Sequence, residues 1–236
     1  MPHLMPADRI TRRVRPWRTA LMCGALSGVV ALPAFLAVQT VTVSPAVLTG
    51  AAGATATVTL DGLAPVLGTS VFVSSSQPSV ATVPPKFPIP AGRRSGTVAV
   101  TTSSGNGGCS TISARVAGGN ETPMALISVR PTNTNASGPM RLTLADSVVG
   151  GGSLQGFVIL RPSGAVPGTV QLTSSNPAVN VPSTVSATNV TEVGIVTPFN
   201  VTTSAVQYPG SCAVITATKG TLQTRILLRV MPIGHP

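Results

Sequence analysis

The chain has 236 residues, 43% of them apolar and only 8% charged, with 24 Gly, 22 Pro and a formal net charge of +10. Gly and Pro together stay below the level of a disordered or collagen-like chain, and the mean hydropathy of +0.41 is that of a chain with a core to bury. The charge is uneven: residues 1–38 hold five Arg and one Asp, while the ten basic residues that follow are scattered, with Arg93-Arg94 the only adjacent pair. Nucleic-acid surfaces usually cluster Lys/Arg, often with stacking aromatics, so the charge reads as a weakly basic solvated surface and no nucleic-acid partner is expected.

Residues 1–18 carry Arg9, Arg12, Arg13, Arg15 and Arg18, and Thr19 to Val38 then runs without a charge. A positive stretch before an apolar run is an export signal, and this run is long enough to span a bilayer. The positive-inside rule puts residues 1–18 in the cytoplasm and the rest of the chain outside. Residues 1–38 are thus either a cleaved signal or an uncleaved N-terminal anchor helix. Ala34 and Ala37 are the candidate last residues of a signal, with Leu32 and Phe35 poorly placed upstream. Thr11-Arg12-Arg13 is followed by Arg15-Pro16-Trp17 rather than apolar residues, unlike a twin-arginine signal, and Leu21-Met22-Cys23 is not a lipobox.

From Thr40 the pattern is Val/Thr alternation broken by turns every 8–12 residues, which predicts an all-β sandwich or barrel. Strands are expected near 41–47, 54–60, 69–74, 80–83, 96–101, 110–116 and 124–130. A second set follows near 140–145, 154–160, 168–173, 179–181, 193–201, 211–218 and 222–230. Ser75-Ser76-Gln77-Pro78 and Ser174-Ser175-Asn176-Pro177 are the same turn, 99 residues apart. Proline fixes φ and forces the residue before it to be extended, so each turn closes one strand and starts the next. Cys109 and Ile112 recur as Cys212 and Ile215, 103 residues on. A repeat of about 100 residues is the size of one domain. The organisation expected is a signal or anchor over 1–38, a sandwich over 39–131, a stiff linker over 132–139, a sandwich over 140–232 and a tail over 233–236.

An apolar strand, Ser-Ser-Asn-Pro-Ala-Val-x-Val-Pro, a Thr/Val-rich strand and an Ile-Thr-Ala strand follow one another at Ser174–Pro182, Val193–Thr203 and Val214–Ala217. The first copy matches at Ser75–Pro84, Gly96–Thr102 and Thr111–Ala114. This pattern resembles bacterial Ig-like (immunoglobulin/fibronectin-III-like) tandem repeats of exported or surface type. The resemblance covers about residues 40–232 and implies two tandem Ig-like β-sandwiches behind the N-terminal segment. It implies spacers, adhesin segments or accessory domains, not one function. Neither copy has the second-strand Cys or the core Trp of antibody domains; the single Trp is Trp17.

Chemistry-bearing residues are sparse. The acids after residue 38 are Asp61, Glu121, Asp146 and Glu192, and the His residues, His3 and His235, sit at opposite ends. No catalytic set, metal-spaced His/Cys group, cofactor loop or phosphate loop is read, and the chain is expected not to be an enzyme. Gly150-Gly151-Gly152 reads as a flexible loop, and the four Asn-x-Ser/Thr matches at Asn120, Asn135, Asn189 and Asn200 read as chance. The expected role is an exported structural or interaction protein at the envelope, secreted, periplasmic or on the cell surface. It meets the membrane only through residues 19–38, if these are retained. The alternative is an adhesin or carbohydrate-binding protein whose partner is an envelope protein or glycan, with Tyr208 and Phe87, each in a Pro-containing loop, as contacts. Cys109 and Cys212 can form a disulfide only if their Cα atoms approach within about 7 Å. Domains set end to end hold them farther apart, and two lone thiols are therefore expected; a folded-back pair would let them bond.

Overall fold

The computed structural model describes residues 36–103, 105–119, 122–132, 138–161, 167–188, 190–191 and 194–234. The N-terminal segment expected over 1–38 lies outside these residues except at its end, as do most of the 132–139 linker, Glu121 and Glu192. No helix among the described residues is long and apolar enough to cross a membrane.

The first sandwich is built, in chain order, from β1 (Val38–Ser44), β2 (Val47–Thr49), β3 (Gly53–Leu60), β4 (Thr69–Ser75), β5 (Ala81–Thr82), β6 (Lys86–Ile89), β7 (Ser95–Thr102), β8 (Gly108–Val116) and β9 (Met124–Arg130). One sheet has the order β1-β3-β7-β5 and the other β2-β9-β8-β4-β6. That is the ABED and GFC arrangement of an Ig-like sandwich, with β2 and β6 added at the edges of the second sheet. Strand β3 shows why the chain folds this way. Ala54, Ala56, Val58 and Leu60 face the core, and Thr55, Thr57 and Thr59 face away. The period of two puts every apolar residue on one side of the sheet.

The second sandwich repeats this order with β10 (Met140–Thr143), β11 (Ser147–Val149), β12 (Ser153–Leu160), β13 (Gly168–Ser174), β14 (Val179–Asn180), β15 (Thr184–Ala187), β16 (Val190–Thr191), β17 (Gly194–Thr203), β18 (Ser211–Lys219) and β19 (Leu222–Met231). Its sheets are β10-β12-β17-β14, with β16 beside β17, and β11-β19-β18-β13-β15. Strands β2 and β11 pair parallel with β9 and β19, and all other pairings are antiparallel. Each copy fills its own core. Val58, Leu60, Val71, Ile89, Ile112 and Ile127 are central to one, and Val158, Leu160, Ile195, Ile215 and Leu228 to the other.

The structure adds strands that the sequence did not announce. Pro45 splits the expected 41–47 strand into β1 and β2. Strand β6 forms despite Pro84, Pro85 and Pro88, because it is an edge strand: it pairs with β4 alone, and Pro88 opposite Ser70 needs no N–H on its open side. Its counterpart β15 was hidden in the same way behind Pro182. Gly150-Gly151-Gly152 is a tight turn rather than a slack loop. The Gly150 N–H donates to the Met231 carbonyl at 2.9 Å and the Gly152 N–H to that of Val149 at 2.9 Å. Buried Thr203 seals this turn through its hydroxyl on the Gly152 carbonyl at 3.0 Å, as Thr102 seals the first copy's turn on the Gly50 and Ala52 carbonyls at 2.9 Å.

Candidate functional site: the junction between the sandwiches

In β8 and β18 successive residues point to opposite faces. Ser110, Ile112 and Ala114 enter the first core, and Ala213, Ile215 and Ala217 the second. The outward residues are Cys109 and Thr111 in β8, and Cys212 and Val214 in β18. Their cross-strand partners on β9 and β19 share those faces: Ser128 and Leu126 in the first, Arg229 and Leu227 in the second. Cys212, Val214 and Leu227 are nonetheless buried, in a third apolar cluster that Cys109 completes. The two sandwiches therefore pack through the outer faces of these sheets.

Cys109 and Cys212 are joined there as a disulfide, with their Cα atoms 6.0 Å apart. The expectation that they sit far apart as lone thiols is corrected. It assumed domains set end to end, whereas β8 and β18 lie side by side. Three polar contacts flank the bridge. Arg130 Nη2 meets Asp146 Oδ2 at 2.7 Å, Arg225 Nη1 donates to Asn106 Oδ1, and the Tyr208 hydroxyl donates to the Met124 carbonyl at 3.2 Å. All three cross from one sandwich to the other.

The repeated turns border this junction, and each is tied to the start of β8 or β18. In the first copy the buried Ser110 hydroxyl accepts the Gln77 N–H at 3.0 Å and shares a hydrogen bond of 2.7 Å with Ser75 Oγ. In the second copy Ala213 stands at that position, the turn N–H of Asn176 donates to Ser174 Oγ at 3.3 Å, and the side chain of Asn176 ties the turn to β18. Its Nδ2 donates to Ser211 Oγ at 2.7 Å and to the Cys212 carbonyl at 2.9 Å, and its Oδ1 accepts the Ala178 N–H at 2.9 Å. The last is an Asx turn, which Asn closes and the longer Gln does not. Between the turns lies an open cleft of about 620 Å³ lined by Gln77, Asn106, Ser175, Asn176 and Arg225, with the disulfide in its wall. Amides, hydroxyls and one guanidinium offer hydrogen bonds to a polar ligand.

The two residues expected to touch a ligand part company. Phe87 is 9% exposed and belongs to the first core, so it is corrected from a loop contact to a core residue on β6. Its ring lies so close to Gly96 that a Cβ there would stand 2.8 Å from Phe87 Cε2. Tyr208 is half exposed, at the junction rather than in the cleft. Among the described residues no group of three His, Cys, Asp or Glu is placed to hold a metal. Asp61 and Asp146 are engaged, the first with the Ala37 N–H at 3.0 Å and the second with Arg130. Sequence reasoning missed the junction, although a signal was present: Cys212-Ala213-Val214-Ile215 is apolar on both faces, while Cys109-Ser110-Thr111-Ile112 carries a hydroxyl on each face.

The topology defines the class: a tandem Ig-like β-sandwich protein. No protein-family model matches the chain, and no curated protein matches it. Among solved structures it is similar to the D0-D1 domain of intimin, at 15% identity and a TM-score of 0.36, over 83% of this chain and 99% of that one. InvD of Yersinia pseudotuberculosis is similar at 17% identity and 0.32, over 82% of this chain and 57% of that one. The titin Ig tandem A164-A165 is similar at 14% identity and 0.24, over 84% and 96%. At such TM-scores these likenesses add nothing to the topology described above.

Proposed function

We propose that the chain is an exported, non-catalytic structural protein that presents two Ig-like sandwiches as a locked pair, a spacer or scaffold at the cell envelope. The observation that carries this reading is the covalent tie between the repeats at Cys109 and Cys212. Disulfides form and persist outside the reducing cytoplasm, in keeping with the charge-free run that follows the five N-terminal arginines. The flanking ion pair and the apolar cluster of Cys212, Val214 and Leu227 support a fixed angle between the modules. Fractionation of the native host, with N-terminal sequencing of the mature form, tests it. Recovery from the envelope or medium is expected, and recovery from the cytosol with both thiols free would contradict it.

A second reading, an adhesin or glycan-binding protein, draws on the polar cleft at the junction, since small-molecule sites favour clefts between domains. A glycan-array screen of the full chain and of Asn176→Ala distinguishes the two. Binding that is lost in the variant would favour this reading, and no binding at all would remove it.

A further inference from the structure

The end of the first sandwich away from the junction carries an apolar tip. Leu63, Val66 and Leu67, in the loop between β3 and β4, are 66, 92 and 98% exposed. The loop is tied down. The Gly68 N–H donates to the Pro65 carbonyl at 2.7 Å, the Ala64 N–H to that of Arg93 at 2.9 Å, and the Gly92 N–H to that of Ala64 at 2.9 Å. Ala64 is buried beneath it. Backbone bonds thus hold large apolar side chains out in water, which costs free energy unless something covers them. Beside them stand exposed Arg93 and Arg94. Arg94 is pinned by its Nε on the Leu60 carbonyl at 3.1 Å and its Nη2 on that of Asp61 at 2.9 Å.

The chain enters the sandwich at this same end. The Asp61 N–H donates to the Ala37 carbonyl at 3.1 Å, and Leu36 packs on the first core. The last residues of the charge-free run, Leu36 to Val38, thus stand at the same end of the sandwich as the apolar tip. In sequence, the matching loop of the second copy, residues 161–167, is one residue shorter and keeps a single large apolar residue, Val166, and Gly194-Ile195 stand where the first copy has Arg93-Arg94. The sequence pairs an apolar loop with adjacent arginines only in the repeat next to the apolar run, which points to the surface that run enters.

We infer that Leu63, Val66 and Leu67, with Arg93 and Arg94, form a docking edge that seats the first sandwich on a phospholipid surface. The apolar tips enter the headgroup boundary and the guanidinium groups meet lipid phosphates. This inference rests on the export reading, in its form with residues 19–35 retained.

The test uses the full chain with Trp17→Phe, which removes the single native indole, and Val66→Trp. It is reconstituted in phosphatidylglycerol-containing vesicles with or without brominated acyl chains, and flotation is measured in parallel. The Val66→Trp emission should shift to the blue and be quenched by the brominated lipid. A control Thr221→Trp, in the exposed β18–β19 turn, should do neither, and adding Arg93→Glu should reduce the quenching. A chain that floats but whose Val66→Trp emission stays water-like overturns the docking edge and leaves the anchor standing. A chain that does not float removes the retained anchor, and the docking edge with it.

Discussion

The two copies share a topology and differ where they meet. On the outer face of β8 the first copy shows Thr111 and Ser113, whereas the second shows Val214 beside Leu227 on β18 and β19. Two equivalent faces thus serve one interface with different chemistry at Thr111 and Val214, while both keep the cysteine that joins them, Cys109 and Cys212, and the leucine of the neighbouring strand, Leu126 and Leu227. The turns differ for a linked reason. Where the third residue of β8 is Ser110, that of β18 is Ala213; the turn N–H that Ser110 accepts from Gln77 is met in the second copy by Ser174 Oγ at 3.3 Å, and the Asn176 side chain adds its own bonds to β18. A fold is retained when each buried donor finds a partner, whichever residue supplies it.

The largest expected effect is on the shared bridge. Cys212→Ser should cost about 2–5 kcal/mol and split one unfolding transition into two, one per sandwich, because the bridge closes a long loop across both. Calorimetry of the full chain reads both features, and a single unshifted transition would show that the sandwiches do not depend on it.

Next are the turns, where the copies should respond in opposite ways. Ser110→Ala leaves the Gln77 N–H without its acceptor and should cost about 1–3 kcal/mol in denaturant melts. Adding Gln77→Asn should recover part of that loss by closing an Asx turn onto the Ser79 N–H, as Asn176 does onto that of Ala178. Asn176→Ala should cost a similar amount in the second sandwich, with nothing in Ala213 to compensate.

A smaller loss is expected from Val214→Ala, about 1–2 kcal/mol for two buried carbons at the junction. Thr111→Ala, on the facing strand, should change little, and equal losses from the two would deny that the faces differ. Smallest is Arg130→Ala. Its partner Asp146 is 70% exposed, so the ion pair should contribute between zero and about 1 kcal/mol, less in high salt.

Much of the fold was legible in the residues. The Ser-Ser-Gln/Asn-Pro turns and the Val/Thr alternation are local signals, and they place both sandwiches and most of their long strands. The edge strands β6 and β15 were not legible, because proline is read as a breaker and only the sheet shows which edge is open. Phe87 was misjudged for the same reason, since its neighbouring prolines look like loop while its ring fills the core. The junction was half legible. The doubled apolar pattern of Cys212–Ile215 announces a strand covered on both faces, but which surface covers it is a property of how the domains pack.

Peptide mapping under non-reducing conditions, on protein recovered from its native host, tests the locked pair most directly. A cross-linked peptide joining the segments around Cys109 and Cys212, two hydrogens lighter than the free thiols together, is the expected result. Both cysteines alkylated in the unreduced native protein would contradict it.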